Sequence, residues 1–126
     1  MDLPLYDQRK AERILAALPL TYVIECGAQP LEGRTTTIDI GGGGVRFLIP
    51  CMVSPQTMGR LTLSLPNQAD PLLFAARVSW CRQVKTQGCD QFEVGMGFVI
   101  APSDDITAFE RYCQFIAGQI LLKHVS

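Results

Sequence analysis

Four consecutive glycines, Gly41 to Gly44, lie between two apolar runs that are typical of β-strands. Glycine has no side chain to pack, and it loses more conformational freedom on folding than any other residue. The run therefore predicts a place where the backbone turns sharply, takes a positive φ or lets another group approach closely. Asp39 lies just before the run, and we interpret this acid and the glycine loop as one half of a ligand site.

A pair of arginines near the N-terminus is predicted to supply the other half. Arg9 and Arg13 are four residues apart, so they share one face of a helix and also one side of an extended segment. In either conformation the two guanidinium groups can converge on one target. The same pattern is also typical of a solvated charged turn in which Glu12 pairs locally.

Alternation of apolar and polar residues predicts six β-strands joined by short turns. The expected strands cover residues 18–28, 34–40, 45–49, 60–65, 72–84 and 92–100. On the fifth of these strands, Val78 and Trp80 are expected to share a face with Phe74 and Ala76. Six consecutive strands favour an antiparallel β-barrel, because closure removes the exposed sheet edges.

A C-terminal helix is predicted over about residues 103–124, with Ser103 as its N-cap. Apolar residues spaced three and four apart form its predicted buried stripe: Ile106, Phe109, Cys113, Ile116 and Ile120. This stripe suits a lid packed on the sheet, and a partner surface is the other use. We therefore expect an all-β fold with a C-terminal helix. A flexible segment over residues 1–17 would precede a six-stranded barrel and helix over residues 18–126.

Composition limits the classes of function. A chain of 126 residues fits one domain, and a net charge of −1 argues against non-specific binding of DNA or RNA. Neither a signal peptide nor a run of 18 apolar residues is found, so we expect a cytoplasmic protein without membrane insertion. Five irregularly spaced cysteines and one histidine predict reduced thiols and no metal site.

No catalytic constellation is recognisable in the sequence, so we predict a non-enzymatic protein with no cofactor. The glycine run precedes a strand-like segment, whereas Rossmann and P-loop motifs need a helix there. Two arginines, an acid and bare backbone suit a small ligand that carries phosphates and guanines. A barrel enzyme that binds another anionic cofactor, such as a flavin, is an alternative.

Five short stretches, in their order and spacing, resemble a PilZ domain, the bacterial receptor domain for cyclic di-GMP. That family carries an RxxxR motif in a flexible N-terminal segment, a Leu-Pro entry to the first strand, and a (D/N)xSxxG motif. The matching stretches are Arg9 to Arg13, Leu18-Pro19-Leu20, Asp39 to Gly44, Arg77-Val78-Ser79-Trp80 and Phe92 to Phe98. The resemblance covers about residues 6 to 117 and implies the barrel and helix described above.

The resemblance also implies roles for individual residues. Arg9 and Arg13 would clamp phosphates and stack on guanine while the N-terminal segment closes over the ligand. Lys10 stands where the family often has another arginine; lysine keeps the charge and loses the planar fork. Asp39 would read a guanine edge, and Gly44 would allow the loop its geometry. Trp80 has two interpretations, as a residue facing the ligand or as a core anchor.

One position departs from the family pattern. Gly41 stands where the motif has serine, so a hydroxyl is missing. A hydrogen bond to a charged group is worth about 1.5–3 kcal/mol, which corresponds to roughly tenfold to hundredfold weaker binding. The expected function is a cyclic di-GMP sensor that orders its N-terminal segment and passes the second-messenger signal to an unknown protein partner. The alternative is a degenerate PilZ module that binds a protein and no nucleotide.

Overall fold

The barrel is formed by strands whose bounds follow the apolar alternation closely. A computed structural model describes residues 13–86, 88–101, 104 and 106–125. Within these ranges the strands are β1 Arg13–Leu15, β2 Pro19–Ile24, β3 Leu31–Gly41, β4 Gly44–Ile49, β5 Met58–Leu63, β6 Leu72–Thr86 and β7 Cys89–Val99. The helix that follows them, α1, spans Thr107–Val125.

Six of the strands close into an antiparallel ring in the order β2, β3, β4, β7, β6 and β5, with β5 pairing back to β2. This confirms the predicted six-stranded barrel with a C-terminal helix. The short strand β1 is an addition, and it pairs with β3 beyond the end of β2. The segment predicted over residues 1–17 therefore contributes a strand to the sheet, and Arg9 and Lys10 lie outside the described residues.

Thr37 fixes the crossing of the chain from β1 to β2. Its backbone N–H donates to the carbonyl of Leu18 at 3.0 Å, and its hydroxyl accepts a hydrogen bond from the Leu18 N–H at 2.9 Å. The same hydroxyl donates to the carbonyl of Ala16 at 2.5 Å. Thr37 is buried, so these bonds satisfy backbone groups that the crossing would otherwise leave unpaired.

The core contains inward-facing residues of every strand, together with residues of α1 and the loops. Leu20, Tyr22 and Ile24 of β2 are buried as the alternation predicts, and so are Leu61 and Leu63 of β5. β2 and β5 thus show one face to the barrel interior and the other to solvent, as expected for a period of two.

A β-bulge in β6 interrupts this pattern. Val78 pairs with Met96 and Trp80 pairs with Gly95, so Ser79 is an extra residue without a partner in the ladder. An extra residue moves the following side chain to the other face of the sheet. Val78 is buried, whereas Trp80 is 39% exposed on the outside. The prediction that Val78 and Trp80 share a face is therefore wrong.

The helix packs on the barrel through an aromatic cluster. Tyr112 is fully buried, and its ring centroid lies 5.6 Å from that of Phe74 and 5.0 Å from that of Phe98, both in edge-to-face geometry. Ile116 of the predicted stripe is also buried. The predicted stripe omitted Tyr112.

The helix begins later than the predicted residue 103. Its first turn includes a hydrogen bond from the Glu110 N–H to the carbonyl of Ile106, at 2.9 Å. The predicted N-cap, Ser103, lies outside the described residues. No helix in the described ranges is both long enough and apolar enough to cross a bilayer.

Candidate functional site

The glycine turn connects β3 to β4 on the outer wall of the barrel. Gly41 ends β3 and pairs with Gly44, which begins β4, so Gly42 and Gly43 form a two-residue turn. A Cβ atom at Gly44 would overlap the carbonyl oxygen of Met96 on β7. Two of the predicted reasons for the glycines therefore apply, a sharp turn and a close backbone approach.

The helix holds this turn from the inner side. The hydroxyl of Tyr112 donates a hydrogen bond to the carbonyl of Gly41 and lies 3.4 Å from the carbonyl of Gly44. Burial raises the pKa of Tyr112 above its ordinary value, so the hydroxyl keeps the proton that it donates. The glycine turn and α1 are therefore directly connected.

Asp39 brings the two predicted halves of the site together. Arg13 Nη2 lies 2.6 Å and Arg13 Nε 3.2 Å from Asp39 Oδ1, while Arg46 Nη2 lies 2.6 Å from Asp39 Oδ2. Asp39 is only 6% exposed. Burial raises the pKa of Asp39, but the hydrogen bonds and charges of Arg13 and Arg46 outweigh burial and lower the pKa below its ordinary value. Asp39 is thus an ionised carboxylate with an arginine on each oxygen.

Arg46 and Glu93 belong to the site although the sequence analysis did not select them. Arg46 Nη1 lies 3.1 Å from Glu93 Oε2, and Arg82 Nη2 lies 2.7 Å from Glu93 Oε1. The hydrogen bond from Arg46 to Asp39 raises the pKa of Arg46. Charges therefore alternate along one line across the sheet: Arg13, Asp39, Arg46, Glu93 and Arg82.

A signal for Arg46 was present in the sequence. Val45 and Phe47 are apolar neighbours on the inner face, so Arg46 must face outward. A two-residue turn also places β4 directly beside Asp39. Glu93 lies within the family-like stretch Phe92 to Phe98, but no local pattern predicts its contact with Arg46, which is 47 residues away.

Trp80 covers the bare backbone of Gly95. A Cβ atom at Gly95 would lie 2.5 Å from the indole ring, so only glycine admits the ring in this position. The guanidinium carbon of Arg82 lies 5.9 Å from the centroid of the ring. The exposed part of the indole borders the same cavity as the charged residues.

That cavity has a volume of about 380 Å³ and contains most of the predicted site residues. Arg13, Asp39, Gly44 and Trp80 line it. Gly41 lies beside it, paired with Arg13 across the strands. The cavity therefore combines cationic donors, one carboxylate, an aromatic surface and exposed backbone, which are groups that recognise a nucleotide.

The described residues contain no group of three or more His, Cys, Asp or Glu side chains placed to hold a metal ion. All five cysteines are free thiols.

Comparison with known families identifies the class of protein. The sequence model of the PilZ domain matches residues 7–115. This chain belongs to the PilZ domain family.

Similar proteins support the assignment. The flagellar brake protein YcgR of Thauera aminoaromatica is 29% identical over 107 residues, which are 75% of this chain and 40% of that protein. This chain therefore spans less than half the length of that relative.

Solved structures share the fold. The inhibitor of motility MotI/DgrA of Bacillus subtilis superposes with a TM-score of 0.65 and 17% identity, covering 88% of this chain and 50% of that one. PlzA of Borreliella burgdorferi, solved in complex with c-di-GMP, gives a TM-score of 0.60 and 8% identity, covering 95% of this chain and 55% of that one.

Proposed function

We propose that this chain is a sensor that binds cyclic di-GMP. The observation that carries the proposal is the meeting of Arg13, Asp39 and Trp80 around one cavity in a chain of the PilZ family. The structural neighbour PlzA is described in complex with c-di-GMP. The chemistry of the cavity fits that ligand, because it offers a donor for phosphate, an acceptor for a guanine edge and a flat surface for a base.

Binding must rearrange the charges around Asp39. Oδ1 already accepts two hydrogen bonds from Arg13 and Oδ2 accepts one from Arg46, so a guanine edge that bonds to both oxygens has to displace Arg13 from Oδ1. The side chain of Arg13 is 42% exposed, whereas that of Arg46 is 26% exposed and is also tied to Glu93. Arg13 is therefore the partner that moves: it turns to a ligand phosphate and releases Oδ1, while Arg46 keeps Asp39 in place.

Trp80 supplies the surface for a guanine base. Its indole is fixed from below by Gly95 and is exposed on the side of the cavity. Stacking on an aromatic ring contributes about 1–3 kcal/mol per base in nucleic-acid complexes. Trp80 is the single tryptophan of the chain, so its fluorescence reports directly on the site.

Ligand binding is proposed to act on a protein partner. Arg9 and Lys10 lie four and three residues before the start of β1 in the sequence, and their engagement with the ligand would order the N-terminal segment and change the surface next to the cavity. The partner then reads the level of the second messenger in the cytoplasm. One sequence relative is a flagellar brake protein, which makes motility one candidate process.

The second candidate function is a protein-interaction module that binds no nucleotide. Two observations favour it: Gly41 lacks the hydroxyl of the family motif, and both oxygens of Asp39 accept hydrogen bonds from arginines of the barrel itself. In this case the charged line would stabilise the barrel and nothing more.

Isothermal titration calorimetry with cyclic di-GMP separates the two functions. We expect the native chain to bind, Arg13→Ala to lose binding and Gly41→Ser to bind more tightly. Arg34→Ala is the matched control, since Arg34 is an exposed arginine of β3 away from the cavity. Absence of binding by the native chain and by Gly41→Ser would refute the sensor function and leave the interaction module.

A further inference from the structure

A row of glycines with an arginine at each end crosses the outer wall of the barrel. Register pairs connect Arg13 of β1 to Gly41, Gly41 to Gly44, Gly44 to Gly97 of β7, and Gly97 to Arg77 of β6. Neighbouring strands are about 4.8 Å apart, so the two arginine backbones are separated by about 19 Å along the wall. Residues paired across antiparallel strands project on the same side of the sheet.

The fold does not require glycine at position 97. A Cβ atom there would find its nearest neighbours at 3.5 Å, the hydroxyl of Ser79, and at 3.6 Å, the carbonyl of Gly43. Both are ordinary van der Waals distances. At Gly44 and Gly95, by contrast, a Cβ atom would collide with Met96 or with Trp80.

Gly97 nevertheless lines the cavity, together with Gly44 and Ser79. Glycine costs conformational entropy in a strand, and no packing contact repays that cost at Gly97. A residue without a side chain on the floor of a cavity lets a ligand approach the backbone closely. The presence of glycine at position 97 is therefore better explained by the close approach of a ligand than by the packing of the barrel.

Arg77 lies at the far end of this floor. It is exposed, and its side chain makes neither an ion pair nor a hydrogen bond within the described part of the chain. The other arginines near the cavity, Arg13, Arg46 and Arg82, are all paired with carboxylates. An extended arginine side chain is longer than one strand spacing, so Arg77 can reach over Gly97.

We propose that Gly97 and Arg77 form a second anion-binding subsite, which takes one phosphate of a two-phosphate ligand while Arg13 takes the other. The ligand then lies across the glycine row between the two arginines. This inference rests on the proposed function, because cyclic di-GMP is the ligand with two phosphates that the cavity is proposed to bind. It assigns to Arg77 and Gly97 a direct role that neither the RxxxR nor the (D/N)xSxxG motif includes.

The test is calorimetric titration of cyclic di-GMP into the native full chain, Arg77→Ala, Arg77→Lys and Gly97→Ala, with Arg34→Ala as the charge-matched control. We expect Arg77→Ala to weaken binding by about tenfold or more, since it removes a charge-assisted hydrogen bond. Arg77→Lys should recover part of the affinity. Gly97→Ala should weaken binding at least as much, while its thermal midpoint stays within about 2 °C of the native value.

Each outcome is informative. Native binding that Arg13→Ala abolishes but that Arg77→Ala and Gly97→Ala leave unchanged would overturn the second subsite and keep the sensor function. Equal losses from Arg77→Ala and Arg34→Ala would assign the effect to net charge, which also overturns the subsite. No binding by the native chain would overturn both proposals.

Discussion

Replacing Tyr112 by phenylalanine is expected to loosen the glycine turn without disturbing the core. The substitution removes one oxygen and keeps the ring, so the edge-to-face contacts with Phe74 and Phe98 remain. What disappears is the hydrogen bond to the carbonyl of Gly41 and the longer contact with the carbonyl of Gly44. These two carbonyls flank the turn on which the candidate site is built.

The size of the effect follows from the burial of Tyr112, which is complete. A hydrogen bond contributes about 0.5–1.5 kcal/mol net, and a buried acceptor left without a donor costs about 1–3 kcal/mol. We expect a loss of about 2 kcal/mol in the free energy of unfolding. For a domain of this size, about 3–5 °C is lost per kcal/mol, so the melting temperature should fall by roughly 6–10 °C.

Urea denaturation followed by circular dichroism measures this difference, and the m-value should not change. Tyr22→Phe is the matched control, because Tyr22 is also buried but its hydroxyl has no hydrogen bond to any described residue. The control should lose no more than about 0.5 kcal/mol. Equal losses in the two variants, or no loss in Tyr112→Phe, would refute the connection between α1 and the turn.

Three further predictions concern the charged line and its neighbours. The pKa of Asp39 is lower in the folded chain than its ordinary value, so ionised Asp39 stabilises the fold at pH values above the ordinary carboxyl pKa. This stabilisation is lost as the pH falls through the lower folded value. The difference in the free energy of unfolding between the native chain and Asp39→Asn should therefore close in acid titration. Gly95→Ala must displace the indole of Trp80, and we expect a shift in tryptophan emission together with a loss of about 1–3 kcal/mol in chemical denaturation. Arg46→Ala should lower the free energy of unfolding by about 2–3 kcal/mol, because it leaves two buried carboxylates short of a partner. The Arg82 side chain is 65% exposed, so Arg82→Ala should lower it by under about 1 kcal/mol in the same experiment.

The barrel could be predicted because its strands obey a simple rule. In β2 and β5 every second residue is apolar and enters the core, so the alternation fixed both the strands and their inner faces. Arg13 and Asp39 were predicted to lie in the two halves of one ligand site, whereas their direct ion pair was not predicted. Sequence period and motif order were thus sufficient for the architecture, and they selected residues that the fold brings to one candidate site.

The bulge and the charged line could not be predicted in the same way. Apolar and polar residues alternate without interruption through Val78, Ser79 and Trp80. The sequence pattern therefore does not indicate the β-bulge that places Trp80 on the outer face. The contact between Arg46 and Glu93 depends on which residues face each other across β4 and β7. Such a register is set by the whole ring of strands and is not visible in either strand alone.

The hydrogen bonds of Thr37 with Ala16 and Leu18 have a consequence for affinity. They fasten the chain immediately after β1, so Arg13 belongs to the wall of the barrel. Covalent geometry then keeps the Cα atom of Arg9 within about 14 Å of that of Arg13. A group on so short a tether meets a bound ligand at an effective concentration of roughly millimolar or more. Under the proposed function, a ligand bound at the wall would then gain Arg9 as an intramolecular contact, and an insertion between residues 9 and 13 would weaken binding while removing no contact group.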